Sequence, residues 1–128
     1  MTENILSEQN ITQYGDNTNF EDAIMLAERL DFLDIQLLRK FYMNGKEHPF
    51  DLQPYCFPLL YNEMKVSHKI KIGSEALRKR LDNLVRFSLL EKIKHSNPTN
   101  YCPVVDKNHF VRAVITKFFV INGLTKFL

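Results

Sequence analysis

The stretch that decides the fold runs from Gly73 to Val104 and reads GSEALRKRLDNLVRFSLLEKIKHSNPTNYCPV. In its first part apolar residues recur at the i, i+4, i+7 and i+8 spacing of one helix side, and a small residue follows at i+11. These positions are Leu77, Leu81, Leu84, Val85 and Ser88. Ser74 stands where an N-cap belongs, and Glu75 lies in the first turn, where a carboxylate complements the helix dipole. We therefore predict a helix over residues 74–87.

The other side of this predicted helix is polar and mostly basic. It collects Glu75, Ala76, Lys79, Asp82, Asn83 and Arg86, with Arg78 and Arg80 on its two flanks. After the helix, two apolar runs at Leu89–Lys94 and Tyr101–Val105 bracket a polar turn at residues 95–100, which predicts a β-hairpin. A helix with a leucine seam and a basic, amide-bearing back is suited to lie on a polar surface.

This run resembles the recognition helix and wing of winged helix-turn-helix DNA-binding proteins, most closely the small transcription regulators of archaea. The matching residues are Ser74, Leu77, Arg78, Arg80, Leu81, Leu84, Leu89, Leu90, Glu91 and Lys92. Where the family usually has glycine, this chain has Ser88, so a left-handed turn there would be strained, and the tip of the wing reads Asn-Pro-Thr-Asn instead of being glycine-rich. The resemblance covers residues 32–105. It implies a mainly α fold with a three-helix core, a small β-hairpin wing and flanking N- and C-terminal helices.

Charge is distributed unevenly along the chain. The 128 residues, enough for one domain, carry a net charge of only +2. Residues 1–40 hold 3 Lys/Arg against 8 Asp/Glu, whereas residues 65–95 hold 9 against 3. The basic segment coincides with the predicted helix and wing, and such clustering is the pattern expected for phosphate contacts.

Several function classes find little support in the sequence. The two cysteines, Cys56 and Cys102, belong to no Cys-x-x-Cys pair, so we expect free thiols rather than a disulfide or a metal site. We expect no metal, no cofactor and no catalytic residues, since there is no glycine-rich phosphate loop and no nucleophile elbow. There is also no signal peptide pattern and no apolar run long enough to span a membrane, so we expect a cytoplasmic protein.

The rest of the chain predicts helices around this core. Residues 1–17 are expected to form a flexible N-terminal tail, and residues 18–128 the domain. Before the helix at 74–87 we predict helices over residues 20–30, from 32 or 34 to 44, and over 59–67, the last with Pro58 at its first position. A short strand is expected near Phe50 and Leu52. After the hairpin we predict a helix over 108–122, capped by Asn108 or Asp106 and ended by Gly123. The link at residues 68–73 is longer than the usual turn of the family.

The last predicted helix is apolar around more than half of its circumference. Such a helix packs against the helix at 20–30, forms a subunit interface, or does both. We expect a homodimer through this helix, with an interface formed by Phe110, Val111, Val114, Ile115, Phe118 and Phe119. A dimer would place paired recognition helices about one helical turn of DNA apart.

The resulting functional hypothesis is binding of double-stranded DNA, as a transcription regulator. The helix at 74–87 would enter the major groove, where Lys79, Asn83 and Arg86 point outward, and a basic wing at 91–104 would contact the backbone. The full set of candidate DNA-binding residues is Lys69, Lys71, Ser74, Glu75, Arg78, Lys79, Arg80, Asn83, Arg86, Lys92, Lys94, His95 and Asn97. The alternative is a winged-helix protein–protein interaction module in a larger assembly, because the same fold serves both uses.

Overall fold

The computed structural model of this protein describes residues 20–43, 55–93 and 95–127. In these ranges the α-helices are α1 (Phe20–Arg29), α2 (Phe32–Met43), α3 (Phe57–Ser67), α4 (Ser74–Arg86) and α5 (Asn108–Ile121). The strands are β1 (Tyr55–Cys56), β2 (Leu90–Ile93) and β3 (Asn100–Pro103). Short 3-10 turns at Val105–Lys107 and Thr125–Phe127 precede and follow α5. The expected tail at 1–17 and the strand expected near Phe50 and Leu52 lie outside the described residues.

The three strands form one small antiparallel sheet in the order β1-β3-β2. Tyr101 of the central strand β3 stands opposite Tyr55 of β1 on one side and Lys92 of β2 on the other. The mainly helical class with a β-hairpin, predicted from the sequence, is therefore confirmed, and β1 adds a third strand to the hairpin. This strand comes directly before α3 and pairs with the end of β3 next to the hairpin turn, so it joins that end of the hairpin to the helical part of the chain.

The core lies between the helices and one face of the sheet. α5 packs against α1 and α2, and the leucine side of α4 closes the core with Leu77, Leu81 and Leu84 all fully buried. Burying each such side chain stabilises the fold by about 1.5–3 kcal/mol. Tyr101 brings the sheet into the same core, where it is also fully buried. The helical periodicity in the sequence therefore identified the buried side of α4.

The apolar side chains of α5 pack against other helices of the same chain. The six side chains expected at a dimer interface, Phe110, Val111, Val114, Ile115, Phe118 and Phe119, are at most 9% exposed. They are covered because α1 and α2 both pack on this helix, so two faces of α5 are occupied at once. These six side chains are therefore used inside the chain, where they leave little surface for contact with a second copy.

Two expected helix caps are also different in the structure. The N-cap of α4 is Gly73, with an extended backbone and no side-chain hydrogen bond, so Ser74 is the first residue of the helix. The N-cap of α5 is Lys107, because the 3-10 turn runs directly into the helix, and the Asn108 side chain instead accepts a hydrogen bond from Arg112 Nε at 3.1 Å. Both helices therefore begin without the side-chain caps that the sequence suggested.

The end of α4 follows the prediction closely. Ser88 has φ +63°, in the left-handed region, as the position required. The Ser88 N–H bonds to the Val85 carbonyl and the Leu89 N–H to the Leu84 carbonyl, both at 2.9 Å. This is the Schellman arrangement, which satisfies the last carbonyls of a helix. It turns the chain from α4 into β2, and it does so with a residue that carries a Cβ.

Candidate nucleic-acid interface

The outward side of α4 is the candidate interface. Because the leucine side of the helix is buried, residues half a turn away from it must face solvent. Lys79 and Arg86 are exposed on this side and Asn83 is half-buried, and Arg86 Nη2 donates a hydrogen bond to Asn83 Oδ1 at 2.6 Å. A shallow cavity of about 590 Å³ follows the same side, and its lining residues are Ala76, Lys79, Arg80, Asp82, Asn83 and Arg86. This side therefore presents two cations and an amide together.

Arg80 lies on the flank of α4 that faces the turn between α1 and α2. Its guanidinium Nη1 binds Asp31 Oδ2 directly and Asp34 Oδ1 at 3.4 Å. The hydrogen bond to Asp31 raises the pKa of Arg80 above its ordinary value. Arg80 was expected to contact DNA, but the structure places its charge on two carboxylates of its own chain. It therefore ties α4 to the start of α2.

The two carboxylates also bind each other's backbone. Asp31 N–H donates to Asp34 Oδ2, and Asp34 N–H donates to Asp31 Oδ1, each at 3.0 Å, which caps the first turn of α2 reciprocally. Burial raises the pKa of Asp34 above 3.8, and the nearby charge of Asp31 adds to this. Partial burial acts in the same direction on Asp31, but the hydrogen bonds from Arg80 and from the Asp34 backbone outweigh it and lower the pKa of Asp31.

The other flank of α4 faces α3 and the hairpin. The Arg78 guanidinium lies over the Phe57 ring, 4.1 Å from its centroid. Asp82 Oδ1 accepts a hydrogen bond from the Tyr101 hydroxyl at 2.7 Å. The same oxygen forms an ion pair with Lys92 Nζ at 3.3 Å. Burial, followed by the hydrogen bond to Asp82, raises the pKa of Tyr101 above its usual range. Asp82 therefore joins α4 to β2 and β3 and holds the hairpin beside the helix.

A buried tyrosine hydroxyl holds the base of the hairpin. Tyr42 of α2 donates to the Leu89 carbonyl at 2.7 Å and accepts from the Val104 N–H at 2.9 Å. Burial raises the pKa of Tyr42 to about 12, so the hydroxyl keeps its proton and can act as donor and acceptor at once. Sequence analysis identified neither this residue nor the roles of Asp31, Asp34 and Asp82. The Asp-x-x-Asp spacing before α2 was the available signal for the first pair.

The remaining candidate residues lie in the loops beside α4. Lys69 and Lys71 are exposed in the link before the helix, as are Ser74 and Glu75 in its first turn. None of these is buried against another element. The two cations lie close to the N-terminus of α4, where phosphate groups are also attracted by the helix dipole.

The tip of the hairpin carries the last group of candidates. His95 and Asn97 are exposed there, and His95 has φ +66°. The Ser96 hydroxyl donates to the Ile93 carbonyl and accepts from the Asn100 N–H, both at 3.0 Å, which closes the turn between the strands. Lys94 lies outside the described residues. The structure thus places the hairpin tip in solvent, with its base fixed by Tyr42 and Asp82.

Other kinds of site find few components in the described part of the chain. Both cysteines are free and half-buried, and burial, with a contribution from Glu91, raises the pKa of the Cys102 thiol. The described residues contain no cluster of three or more histidine, cysteine or acidic side chains suited to a metal ion. Among the described helices, none combines the length and the apolar character needed to cross a membrane.

Comparisons with protein-family models, with curated proteins and with solved structures found no match to this chain.

Proposed function

We propose that this chain is a winged helix-turn-helix protein that binds double-stranded DNA and acts as a transcription regulator. The observation that carries the proposal is the outward side of α4. There Lys79 and Arg86 are exposed beside Asn83, directly opposite the buried leucines. Among the described residues no carboxylate is seen in an ion pair with either cation. A helix with this division of its surface can lie in the major groove while its apolar side stays in the protein core.

The arrangement of the other elements supports the same proposal. α2, α3 and α4 would be the three-helix core, and β2 and β3 would be the wing beside the recognition helix α4. β1 would supply the short first strand, which pairs with β3. Asp82 and Tyr42 fix the wing against α4 and α2, so helix and wing would meet the duplex as one rigid surface.

The proposed contacts with DNA fall into two groups, those to base edges and those to phosphates. Asn83 and Arg86 are suited to read base edges, since amides pair with adenine and guanidinium groups with guanine in the major groove. Lys69 and Lys71 are suited to phosphates, which position a protein without specifying sequence, whereas Lys92 Nζ is already paired with Asp82 Oδ1 at 3.3 Å. Arg80 is left out of this set because its guanidinium is held by Asp31 and Asp34.

The experiment that tests the proposal is fluorescence anisotropy of a labelled random-sequence duplex, titrated with the full chain at several salt concentrations. We expect binding whose logarithm falls linearly with the logarithm of salt concentration, with a slope that corresponds to several neutralised phosphates. A specific site can then be selected from a random pool. Absence of binding at about 50 mM salt, where nonspecific affinity is strong, would contradict the proposal.

A homodimer remains part of the proposal, although on a different surface from the one first expected. Val120 and Ile121 at the end of α5 are 50% and 44% exposed, unlike the rest of the apolar side chains on this helix. Sedimentation equilibrium of the full chain over a range of concentrations would measure the association. A single monomeric species at all concentrations would remove the dimer and leave DNA binding by the monomer.

The second candidate function, a protein–protein interaction module, is favoured by apolar side chains beside the hairpin. Val105 is 74% exposed and Ile93 is 39% exposed. A cavity of about 630 Å³ lies beside the hairpin, and its lining includes Ile93 and Val104, the residue before Val105. Under this candidate, Lys79→Ala with Arg86→Ala would leave a partner complex intact, whereas Val105→Glu would disrupt it. Under the DNA proposal, Lys79→Ala with Arg86→Ala would weaken duplex binding, whereas Val105→Glu would leave it intact.

A further inference from the structure

A second concave surface lies along α2. Its volume is about 610 Å³, within the range of small-molecule sites, and it is bordered by one side of α2, by His68 after α3 and by Arg112 of α5. We call it the α2 groove. Phe32 and Met43 line it at the two ends of α2, eleven residues apart, which corresponds to about 16 Å along the helix.

The α2 groove faces away from α4. At 100° per residue, Phe32, Arg39 and Met43 fall on one side of α2, and Asp34 falls about half a turn away. Asp34 is the residue that meets Arg80 of α4. The groove therefore belongs to a different surface from the candidate nucleic-acid interface, and no residue of the proposed DNA-contact set lines it.

The polar lining of the α2 groove is mostly basic. Arg39, Lys40, Arg112 and His68 line it beside the neutral Gln36, and no acidic side chain is among the described residues of its lining. Lys40 is neutralised by Glu63, since its Nζ lies 2.5 Å from Glu63 Oε1. The two guanidinium groups are not neutralised in this way by any carboxylate among the residues that the structure describes.

Each of these guanidinium groups is held in place by uncharged partners. Arg39 lies over the Phe119 ring, 5.3 Å from its centroid. Arg112 donates from Nε to the Asn108 amide oxygen and from Nη2 to the Tyr42 carbonyl, both at 3.1 Å. These contacts orient the side chains but bring no negative charge to either of them. An ordered guanidinium with free N–H groups is suited to bind a carboxylate or a phosphate through two parallel hydrogen bonds.

The groove also has an apolar wall. Phe32 is 49% exposed, and its ring packs on Phe118 and Phe119 with centroids 6.4 Å away from each. It is therefore a fixed aromatic surface with one face open, next to the guanidinium of Arg39. An aromatic or aliphatic body can lie on such a ring while its charged group reaches the arginines.

We infer that the α2 groove binds a small organic anion, with a carboxylate or phosphate group on Arg39 and Arg112 and an apolar body on Phe32. The two charged groups share the same recognition chemistry, and the probes below distinguish them. The site lies on a different surface from the candidate DNA contacts, because the α2 residues that line it fall on the opposite side of that helix from Asp34.

The test is NMR titration of the isotope-labelled full chain with benzoate, with phenyl phosphate and, as an uncharged match, with benzyl alcohol. We expect saturable shifts confined to the backbone amides of residues 32–43, 68 and 112 with at least one of the two anions, and no saturable shifts with the alcohol. The tighter of the two anions then identifies the charged group. Shifts that do not saturate with either anion, or that centre on residues 79–86, would overturn the inference.

Substitutions make the test specific. Arg39→Gln removes one guanidinium and is expected to weaken anion binding about tenfold, and Arg39→Lys, which keeps the charge but not the two-pronged geometry, gives an intermediate loss. The matched control is Arg29→Gln, an exposed cation at the end of α1, which leaves the affinity unchanged. Equal affinity of Arg39→Gln and the unsubstituted chain would overturn the inference. Spectral dispersion of each variant reports its folding, and the Arg39→Lys comparison stands alone if Arg39→Gln does not fold.

Discussion

α4 and α5 end in the same way but serve different purposes. Each closes with a Schellman arrangement: Ser88 is the left-handed residue after α4, and Gly123, with φ +68°, is the one after α5. Along its length α5 buries apolar side chains against both α1 and α2, whereas α4 buries one side and exposes cations on the other. α5 therefore stabilises the fold with most of its surface, whereas α4 stabilises it with one side and exposes the other to solvent.

The same comparison shows that nearness in sequence does not make charges equivalent. Arg78, Lys79 and Arg80 are consecutive, and their surroundings differ completely. Arg80 binds two carboxylates and Arg78 lies over an aromatic ring, while Lys79 is exposed. The number of cations in a helical sequence therefore sets only an upper limit on the positive charge that the helix can present to a ligand.

The largest effect is expected in α5. Phe119→Ala removes a ring that is 1% exposed and should lower the free energy of unfolding by about 3–5 kcal/mol, measured by urea denaturation. Thr116→Ala, at an exposed position of the same helix, is the control and should change it by less than about 0.5 kcal/mol. A loss below about 1 kcal/mol for Phe119→Ala would mean that α5 is not packed as described.

The next effect is on binding through α4. Lys79→Ala combined with Arg86→Ala should weaken duplex DNA binding about 100-fold and reduce the slope of the salt dependence by about 2, because two cationic contacts are lost. The free energy of unfolding should stay within about 0.5 kcal/mol. Lys117→Ala with Lys126→Ala removes the same charge from the C-terminal part of the chain and serves as the control. If both double variants lose equal affinity, the binding reports net charge and not the side of α4.

Arg80 should behave in the opposite manner. Arg80→Ala leaves the buried Asp34 without its cation, and we expect the free energy of unfolding to fall by about 1–2 kcal/mol. The affinity of the folded variant for DNA should change by less than about threefold, measured by anisotropy at low salt. The comparison variant is Lys79→Ala. An Arg80→Ala variant of full stability and much weaker DNA binding would return Arg80 to the contact set.

The contribution of Arg80 should depend on pH. The pKa of Asp31 is lowered in the folded state, so its stabilising effect is present above about pH 4 and disappears as pH falls below that value. The pKa of Asp34 is raised, so ionised Asp34 opposes folding, and Arg80 reduces this cost. The stability difference between the unsubstituted chain and Arg80→Ala should therefore shrink by up to about 1 kcal/mol between about pH 5 and pH 3. A difference that grows on acidification would contradict the assigned directions.

The smallest effect concerns the two helix ends. Ser88→Gly removes the strain of a Cβ at positive φ, partly offset by the greater freedom of glycine in the unfolded chain, and should raise the free energy of unfolding by about 0.5 kcal/mol. Gly123→Ser makes the reverse change after α5 and should lower it by a similar amount. Thermal denaturation of the two variants measures both. Shifts of the same sign would show that the two turns are not equivalent.

Local patterns predicted the parts of this molecule that depend on neighbours in sequence. The leucine spacing identified the buried side of α4, and the left-handed turn that the resemblance implied after this helix is present, with Ser88 in place of the glycine usual there. Asp31 and Arg80 are 49 residues apart, and Tyr42 and Val104 are 62 apart, so no local pattern contains those bonds. Packing of α5 on α1 was one of the alternatives that the sequence offered, but the additional cover by α2 was not, because it depends on a contact between residues distant in sequence.

Tyr42, near the end of α2, connects the hairpin to two helices. The Tyr42 hydroxyl is bonded to the residue before β2 and to the residue after β3, so one oxygen spans the entry and the exit of the hairpin. The carbonyl of the same residue is held by Arg112 of α5. The base of the hairpin is therefore tied to α2 and α5 through one residue, while the pairing of β1 with β3 and the bond from the Phe57 N–H to the Thr99 carbonyl, at 2.9 Å, hold the end next to the turn. With both ends attached, the hairpin follows the helices as part of one body, so a substitution of Tyr42 would loosen both of its strands together.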